Sequence, residues 1–297
     1  MISPHRPALP AFIAFTAGAF ALPLLLPGQT IPRPHLTLEV HGEAHTRDDF
    51  RKVEGDVFST RIGSSLQYWQ PLGPAFFGTL TSRVDFFQYD FGGNPADGAF
   101  FLEDATRLML QLELNQFPRE RFGYFLFLQL SEASGSEGSL GKGLTGFGTF
   151  GLSYKVAEPL IAGLGVAYGG NILRDPSVFP VPFLFWQINE QWRLTSRNGV
   201  ILTRTSGPLT LAGEVLYLNR QIALGATDGQ PRGALEDSGV RAGLKTTWRT
   251  EQHWRFEAGV FSYVWREIKV RREDRTEVFR EGVEPGLSAE FALSKRF

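Results

Sequence analysis

Leu108-Met109-Leu110-Gln111-Leu112-Glu113-Leu114 is the stretch on which the fold turns. Its leucines recur at every second position, whereas a helix would scatter Met109, Gln111 and Glu113 around its circumference. The stretch is a β-strand with one oily face. The same alternation recurs in Phe122, Tyr124, Leu126, Leu128, Leu130, in Phe150, Leu152, Tyr154, Val156, and in Leu160, Ala162, Leu164, Val166, Tyr168. It continues in Leu209, Leu211, Val215, Tyr217, in Val240, Ala242, Leu244, Trp248, in Trp254, Phe256, Ala258, Val260, Val264, and in Leu287, Ala289, Phe291, Leu293, Phe297. No helical amphipathic stretch of comparable quality accompanies them, so the body is all-β.

Composition narrows the class. The chain has 297 residues, with 33 Gly and 26 Phe, and a net charge of -1. That charge excludes the strongly basic field of a general nucleic-acid binder, so no nucleic-acid partner is expected. The chain has no cysteine, which removes disulfides, thiolate-ligated zinc, iron–sulfur clusters and a thiol nucleophile.

Residues 1–28 read as a secretory signal peptide, with a basic start, an apolar run from Ala11 to Leu26 and a small-x-small site at Ala19-Phe20-Ala21. Pro23 and Pro27 interrupt a run already short of the roughly 20 residues that a spanning helix needs. Residues 29–35 form an extended linker, and 36–297 form the folded body.

A soluble sandwich also alternates, so strand and connection lengths must separate the two possibilities. A bilayer-crossing strand needs about 9–11 residues, against about 5–6 for a soluble one. Residues 53–69, 75–88 and 253–270 far exceed the soluble mode, and aromatics lie near strand ends at Tyr68-Trp69, Phe86-Phe87, Tyr168, Trp248 and Trp254. Connections alternate short and long: long segments are expected at 46–51, 89–103, 132–145, 169–179, 225–236 and 271–283, with short turns between. The rhythm holds if 191–196 and 200–205 are two short strands joined at Asn198-Gly199, a strong hairpin signal. The expectation is a transmembrane antiparallel up-and-down β-barrel of about 14 strands, or 12 if those two stretches are one strand and the strand near 36–43 stays outside.

The chain end, Gly286-Leu-Ser-Ala-Glu-Phe-Ala-Leu-Ser-Lys-Arg-Phe297, resembles the signal that Gram-negative outer-membrane proteins present to the barrel assembly machinery. The resemblance implies an outer-membrane location, contact with outer-membrane lipid and lipopolysaccharide, and an assembly role for Phe291, Leu293 and Phe297. The stretch Pro180-Val-Pro-Phe-Leu-Phe-Trp-Gln-Ile-Asn, with Trp192-Arg-Leu-Thr, is similar to uncharacterised porin-like barrels of environmental bacteria. That likeness brings no substrate or catalytic residue with it.

With the oily face toward lipid, the alternate face lines the lumen. Its charged residues are Arg61, Arg83, Asp85, Arg107, Glu113, Lys155, Arg193, Glu214, Arg220, Arg241, Lys245, Arg255, Glu257 and Glu290, nine bases against five acids. Each would cost about 2–4 kcal/mol in hydrocarbon near the midplane, so they face water or one another. Either a pore whose field favours anions or a salt-bridge network filling the barrel satisfies this. Arg83 and Asp85, two positions apart on one face, are placed to pair. External loops carry compensating acid at Asp90, Asp97, Glu103, Asp104, Asp228, Glu236 and Asp237.

Phe125, Phe127, Phe261, Tyr263 and Trp265 also fall on the inner face. They form an apolar constriction, or a bulge near the rim switches their register. Inward glycines at 151, 163, 165, 243 and 259 relieve crowding. The five histidines are His5, His35, His41, His45 and His253. His41 and His45 read as exposed rim residues, about 13 Å apart along a strand and too distant to share a metal. A Ser–His dyad would need Ser59 or Ser64 against one of them. No catalytic, metal or cofactor site is expected. The expected function is passive passage of small solutes, with a conduit for hydrophobic compounds, a plugged structural or adhesive barrel and, last, a lipid-modifying enzyme as alternatives.

Overall fold

The computed structural model describes residues 33–73, 75–93, 102–118, 121–135, 141–196, 199–225 and 233–297. The expected signal peptide and most of the linker lie outside them, as do Asp97, Asn198 and Asp228. Sixteen strands follow in chain order: β1 His35–His45, β2 Asp48–Asp49, β3 Asp56–Gly73, β4 Phe76–Gly92, β5 Asp104–Gln116, β6 Phe122–Gly135, β7 Leu144–Ala157 and β8 Leu160–Asn171. They continue with β9 Arg174–Gln187, β10 Trp192–Ser196, β11 Gly199–Ser206, β12 Leu209–Leu224, β13 Gly233–Arg249, β14 Trp254–Arg272, β15 Glu277–Val283 and β16 Leu287–Arg296.

Every neighbour in the wall pairs antiparallel with the next, and β1 pairs with both β3 and β16, so the sheet closes on itself. With β2 and β15 as short additions to β3 and β14, the wall has 14 strands. The first strand is in the barrel, and β10 and β11 are separate strands paired over five residues. Closure pairs the strand edges around the wall, the condition a sheet must meet to cross a bilayer, except along the upper parts of β9 and β12 beyond the ends of short β10 and β11. Leu36 and Phe297 exchange backbone hydrogen bonds, which puts the start and end of the barrel together at the short-turn end.

Alternation sets the faces. On β5, Leu108 and Leu110 are exposed on the outer wall while Met109, Gln111 and Glu113 are buried inside. Tyr68, Phe122, Tyr124, Tyr154, Trp186, Trp248, Phe256 and Phe297 stand exposed around the short-turn end, an aromatic belt at one boundary of the apolar band.

Two expected long loops are largely strand. The 169–179 connection shrinks to a turn at Ile172 and Leu173, the latter at φ 58°. The 271–283 segment folds back as β15 against β14. Polar, charge-rich sequence read as loop because extended strands above a membrane need no oily face. Near the same end, Ala223 of β12 pairs with Ser134 of β6, drawing two distant wall strands together. Val57, Phe87, Tyr89, Ile222, Leu235 and Ile268 pack there into an apolar cluster contributed from around the wall.

Candidate functional site: the lumen

Glu43 on β1 is the centre of the inner charge network. Arg220 donates to its carboxylate at 2.6 Å and Arg241 at 3.2 Å, Arg61 Nη2 lies 3.0 Å away, and His45 Nε2 lies 3.0 Å from Oε1. Arg241 also binds Glu290. Beside it, Asp85 on β4 accepts from Arg83 Nε at 2.9 Å and from Arg107 Nη2 at 2.6 Å, with His41 Nε2 at 2.7 Å. Gly63 makes this arrangement possible, because a Cβ there would meet both His41 Nε2 and Asp85 Oδ1 at 2.6 Å. Toward the long-loop end, Arg266 donates to Asp237 at 2.9 Å and to Ser59 Oγ at 3.2 Å.

The remaining sequence-selected residues lie lower or at the rim. Glu214 pairs with Lys245 at 2.8 Å, and Arg255 binds Glu257. Glu113 accepts from Gln111 at 2.7 Å. Lys155 reaches out of the lumen to the exposed turn residue Glu158 at 2.7 Å. Arg193 is half-buried on short β10. The Arg83–Asp85 pairing expected from their spacing is present.

Three readings change, and two open alternatives are decided. His41 and His45 are buried in the lumen and not at the rim. Their parity follows from Leu36, Leu38 and Val40, which face outward, so the odd positions of β1 point inward. The same parity brings in Glu39 and Glu43, which the nine-to-five count omitted. Glu236 and Asp237 are buried on β13 and hold Arg174 and Arg266, so they are not external-loop charges. Trp265 is 37% exposed on the outer wall, because a bulge at Val240/Arg241 leaves Val264 unpaired and flips the parity of β14 beyond it. Phe125, Phe127, Phe261 and Tyr263, before that shift or on other strands, are buried inside. Finally, Ser59 is held by Arg266 and Ser64 stands opposite Val84 on the outer parity of β3, so neither forms a dyad with a histidine.

The lining is two-sided. The charged groups come chiefly from β1, β3–β5, β12–β14 and β16. The wall of β6–β9 is apolar instead: Phe127, Phe147, Ala167, Phe179 and Val181 pack together, with ring centroids 5.9 Å apart for Phe127–Phe147 and 6.3 Å for Phe147–Phe179. Phe125 meets Phe183 at 5.7 Å. A cavity of about 130 Å³ remains between Arg61, Arg83, Arg107, Lys245, Leu216 and Leu218. No group of acidic and histidine side chains suited to a metal ion occurs among the described residues. Phe291 and Leu293 of β16 and Phe297 just beyond it are all exposed on the outer side.

No protein-family model matches the chain, and no curated protein matches it. Among solved structures, an outer-membrane channel from Pseudomonas putida F1 is similar with a TM-score of 0.50 and 9% identity, over 92% of this chain and 100% of that one. The TodX monoaromatic hydrocarbon channel carrying the deltaS2 mutation gives 0.44 and 11%, over 90% and 91%. The translocator domain of the autotransporter NalP from Neisseria meningitidis gives 0.41 and 12%, over 91% and 90%. Likeness at such identities is likeness of fold, and the first of the three carries it. Together with the closed 14-stranded wall, it places this chain among proteins with the fold of bacterial outer-membrane β-barrels.

Proposed function

We propose that this barrel is a narrow channel for small apolar or amphipathic solutes in the outer membrane of a Gram-negative bacterium. The observation that carries the reading is the continuous aromatic wall of Phe127, Phe147 and Phe179 inside a lumen most of whose charges are already paired. An aqueous anion pore needs uncompensated positive charge facing water. Here Glu39, Glu43, Asp85 and Glu290 stand among Arg61, Arg83, Arg107, Arg220 and Arg241 and offset most of the charge that would have supplied it, and the cavity between them measures about 130 Å³. A buried aromatic surface offers a nonpolar solute a favourable path because it removes that solute from water.

The proposal assigns no catalytic step, since neither Ser59 nor Ser64 stands against His41 or His45. It includes assembly through the outward Phe291, Leu293 and Phe297, and contact of the outer wall with lipid and lipopolysaccharide. The test pairs two measurements on the full chain. Expression in a porin-poor Gram-negative host should raise entry of the hydrophobic dye N-phenylnaphthylamine, while the purified barrel in planar bilayers should pass little ion current. Large, stable, anion-selective steps would replace this reading with a water-filled pore. Silence in both assays would leave a structural barrel.

A further inference from the structure

The barrel wall has a window. β10 and β11 are 5 and 8 residues long, so they fill the space between β9 and β12 only at the short-turn end. β10 pairs with residues 184–187 of β9, and β11 with residues 209–216 of β12. Above them, residues 174–183 of β9 pair only with β8. Residues 217–224 of β12 pair only with β13, apart from the Ala223–Ser134 bridge. The two sides meet again at the long-loop end, where Gln221 accepts the Ile172 backbone N–H at 2.8 Å and donates to Asn171 Oδ1 at 2.8 Å.

An unpaired strand edge facing hydrocarbon strands its N–H groups, and an exposed edge also invites pairing with another chain. The sequence of β9 removes three of those donors. Gln187 donates toward β8, to Pro159, and Ile188 donates toward β10, to Trp192, so the even positions of β9 direct their nitrogens into the window. Pro180 and Pro182 occupy two of those positions and Pro176 a third, beside the register shift near Asn171. A proline nitrogen carries no hydrogen, and proline belongs on edges and not in the middle of a sheet. This edge is composed to stay unpaired.

Apolar side chains flank the lower part of the gap on both sides, with Asn219, Arg220 and Gln221 of β12 above them. Val178, 67% exposed, faces lipid from the β9 edge, while Phe179 and Val181 turn inward to the aromatic wall. Phe183 stands half-buried on the inner side of β9, as does Leu218 on β12 above buried Leu216. From these observations we infer that the gap is a side portal, through which a small uncharged apolar solute passes between the aromatic wall of the lumen and the surrounding lipid. The inference rests on the apolar-channel reading and adds the route.

The absence of native cysteine gives a clean test. Leu218→Cys, in the full chain in a porin-poor host, is treated with a bulky maleimide, and entry of N-phenylnaphthylamine is followed before and after. Phe183→Cys on the opposite side of the portal repeats the test should the first variant fail to give a heat-modifiable folded band. Blocking either position is expected to bring dye entry down to that of cells lacking the barrel, and Phe183→Ala to raise it above the parent. Unchanged entry after labelling, with entry lost in Phe179→Asn, would overturn the portal and leave an axial channel. Entry indifferent to all of these variants would overturn the portal and the apolar channel together.

Discussion

Arg220 and Glu43 stand 177 positions apart in sequence and 2.6 Å apart in the lumen, so one hydrogen bond joins β12 to β1 across the barrel interior. Arg61 and Arg241 converge on the same carboxylate. Removing one member of a buried charge pair leaves the others uncompensated, at a cost of about 3–5 kcal/mol. Glu43→Ala is therefore expected to lower the urea midpoint of the detergent-folded barrel substantially, and Arg61→Met combined with it to recover part of the loss. A midpoint unchanged in Glu43→Ala would mean that the network contributes nothing to closure.

Gly63 has a steric role. A side chain there would meet Val84 O, Asp85 Oδ1 and His41 Nε2, the first of these belonging to backbone that cannot swing aside. Overpacking of this kind costs about 1–3 kcal/mol. Gly63→Val should lower the temperature of the gel-shift transition, and Gly78→Val, whose Cβ would meet only flexible leucine ends nearby at 3.2 Å, should lower it less.

The assignment of faces predicts unequal effects at adjacent positions. Leu110 lies on the lipid side, and Gln111 faces inward against Glu113. Leu110→Arg should cost about 2–4 kcal/mol near the bilayer midplane. Gln111→Lys keeps a donor for Glu113 and should fold in full yield. Comparable loss of folded barrel in both, read by gel shift after refolding into lipid, would contradict the alternation.

Outside the membrane, the β14–β15 hairpin tip is tied by Asp274, whose Oδ1 accepts the Thr276 backbone N–H at 2.9 Å. That bond, with the Thr276 hydroxyl, holds the Asp274 carboxyl below its usual value of 3.8. A carboxyl lowered in the folded state stabilises above its unfolded value and loses that effect as pH falls through the folded one. The tip is expected to resist protease where the Asp274 carboxyl is ionised and to be nicked more readily by pepsin as pH falls below the usual carboxylate range, with Asp274→Ala more open than the parent wherever the carboxyl is ionised. Equal pepsin sensitivity of the parent and Asp274→Ala across the range would count against the tie.

Much of this architecture was legible in the chain. Leu108–Leu114 gave the face, the Asn198-Gly199 signal separated β10 from β11, and the turn rhythm counted the wall. The inward positions of His41 and Glu43 were legible too, from the outward parity of Leu36, Leu38 and Val40, but strand-edge histidines in a polar stretch resemble rim residues. Trp265 was legible only as one of two alternatives. One unpaired residue at Val264 inverts every side chain after it, and no local composition marks that residue as the bulge. Nor does sequence reveal that Ala223 and Ser134 meet, since that pairing depends on how far the long strands lean over the mouth.

The ring of Phe125 lies over the backbone of Gly151 on β7, its direct partner, and reaches Gly165 on β8. Alternation has a blind spot: it forbids a slip of one residue, which turns the oily face inward, but tolerates a slip of two. A two-residue slip of β7 would bring Thr149 or Ser153 under that ring, where the space of two missing side chains is already taken. The glycines thus act as notches that accept one alignment of three strands. Any drift in size at position 125 should then appear together with changes at 151 and 165, so these three sites would vary as a unit.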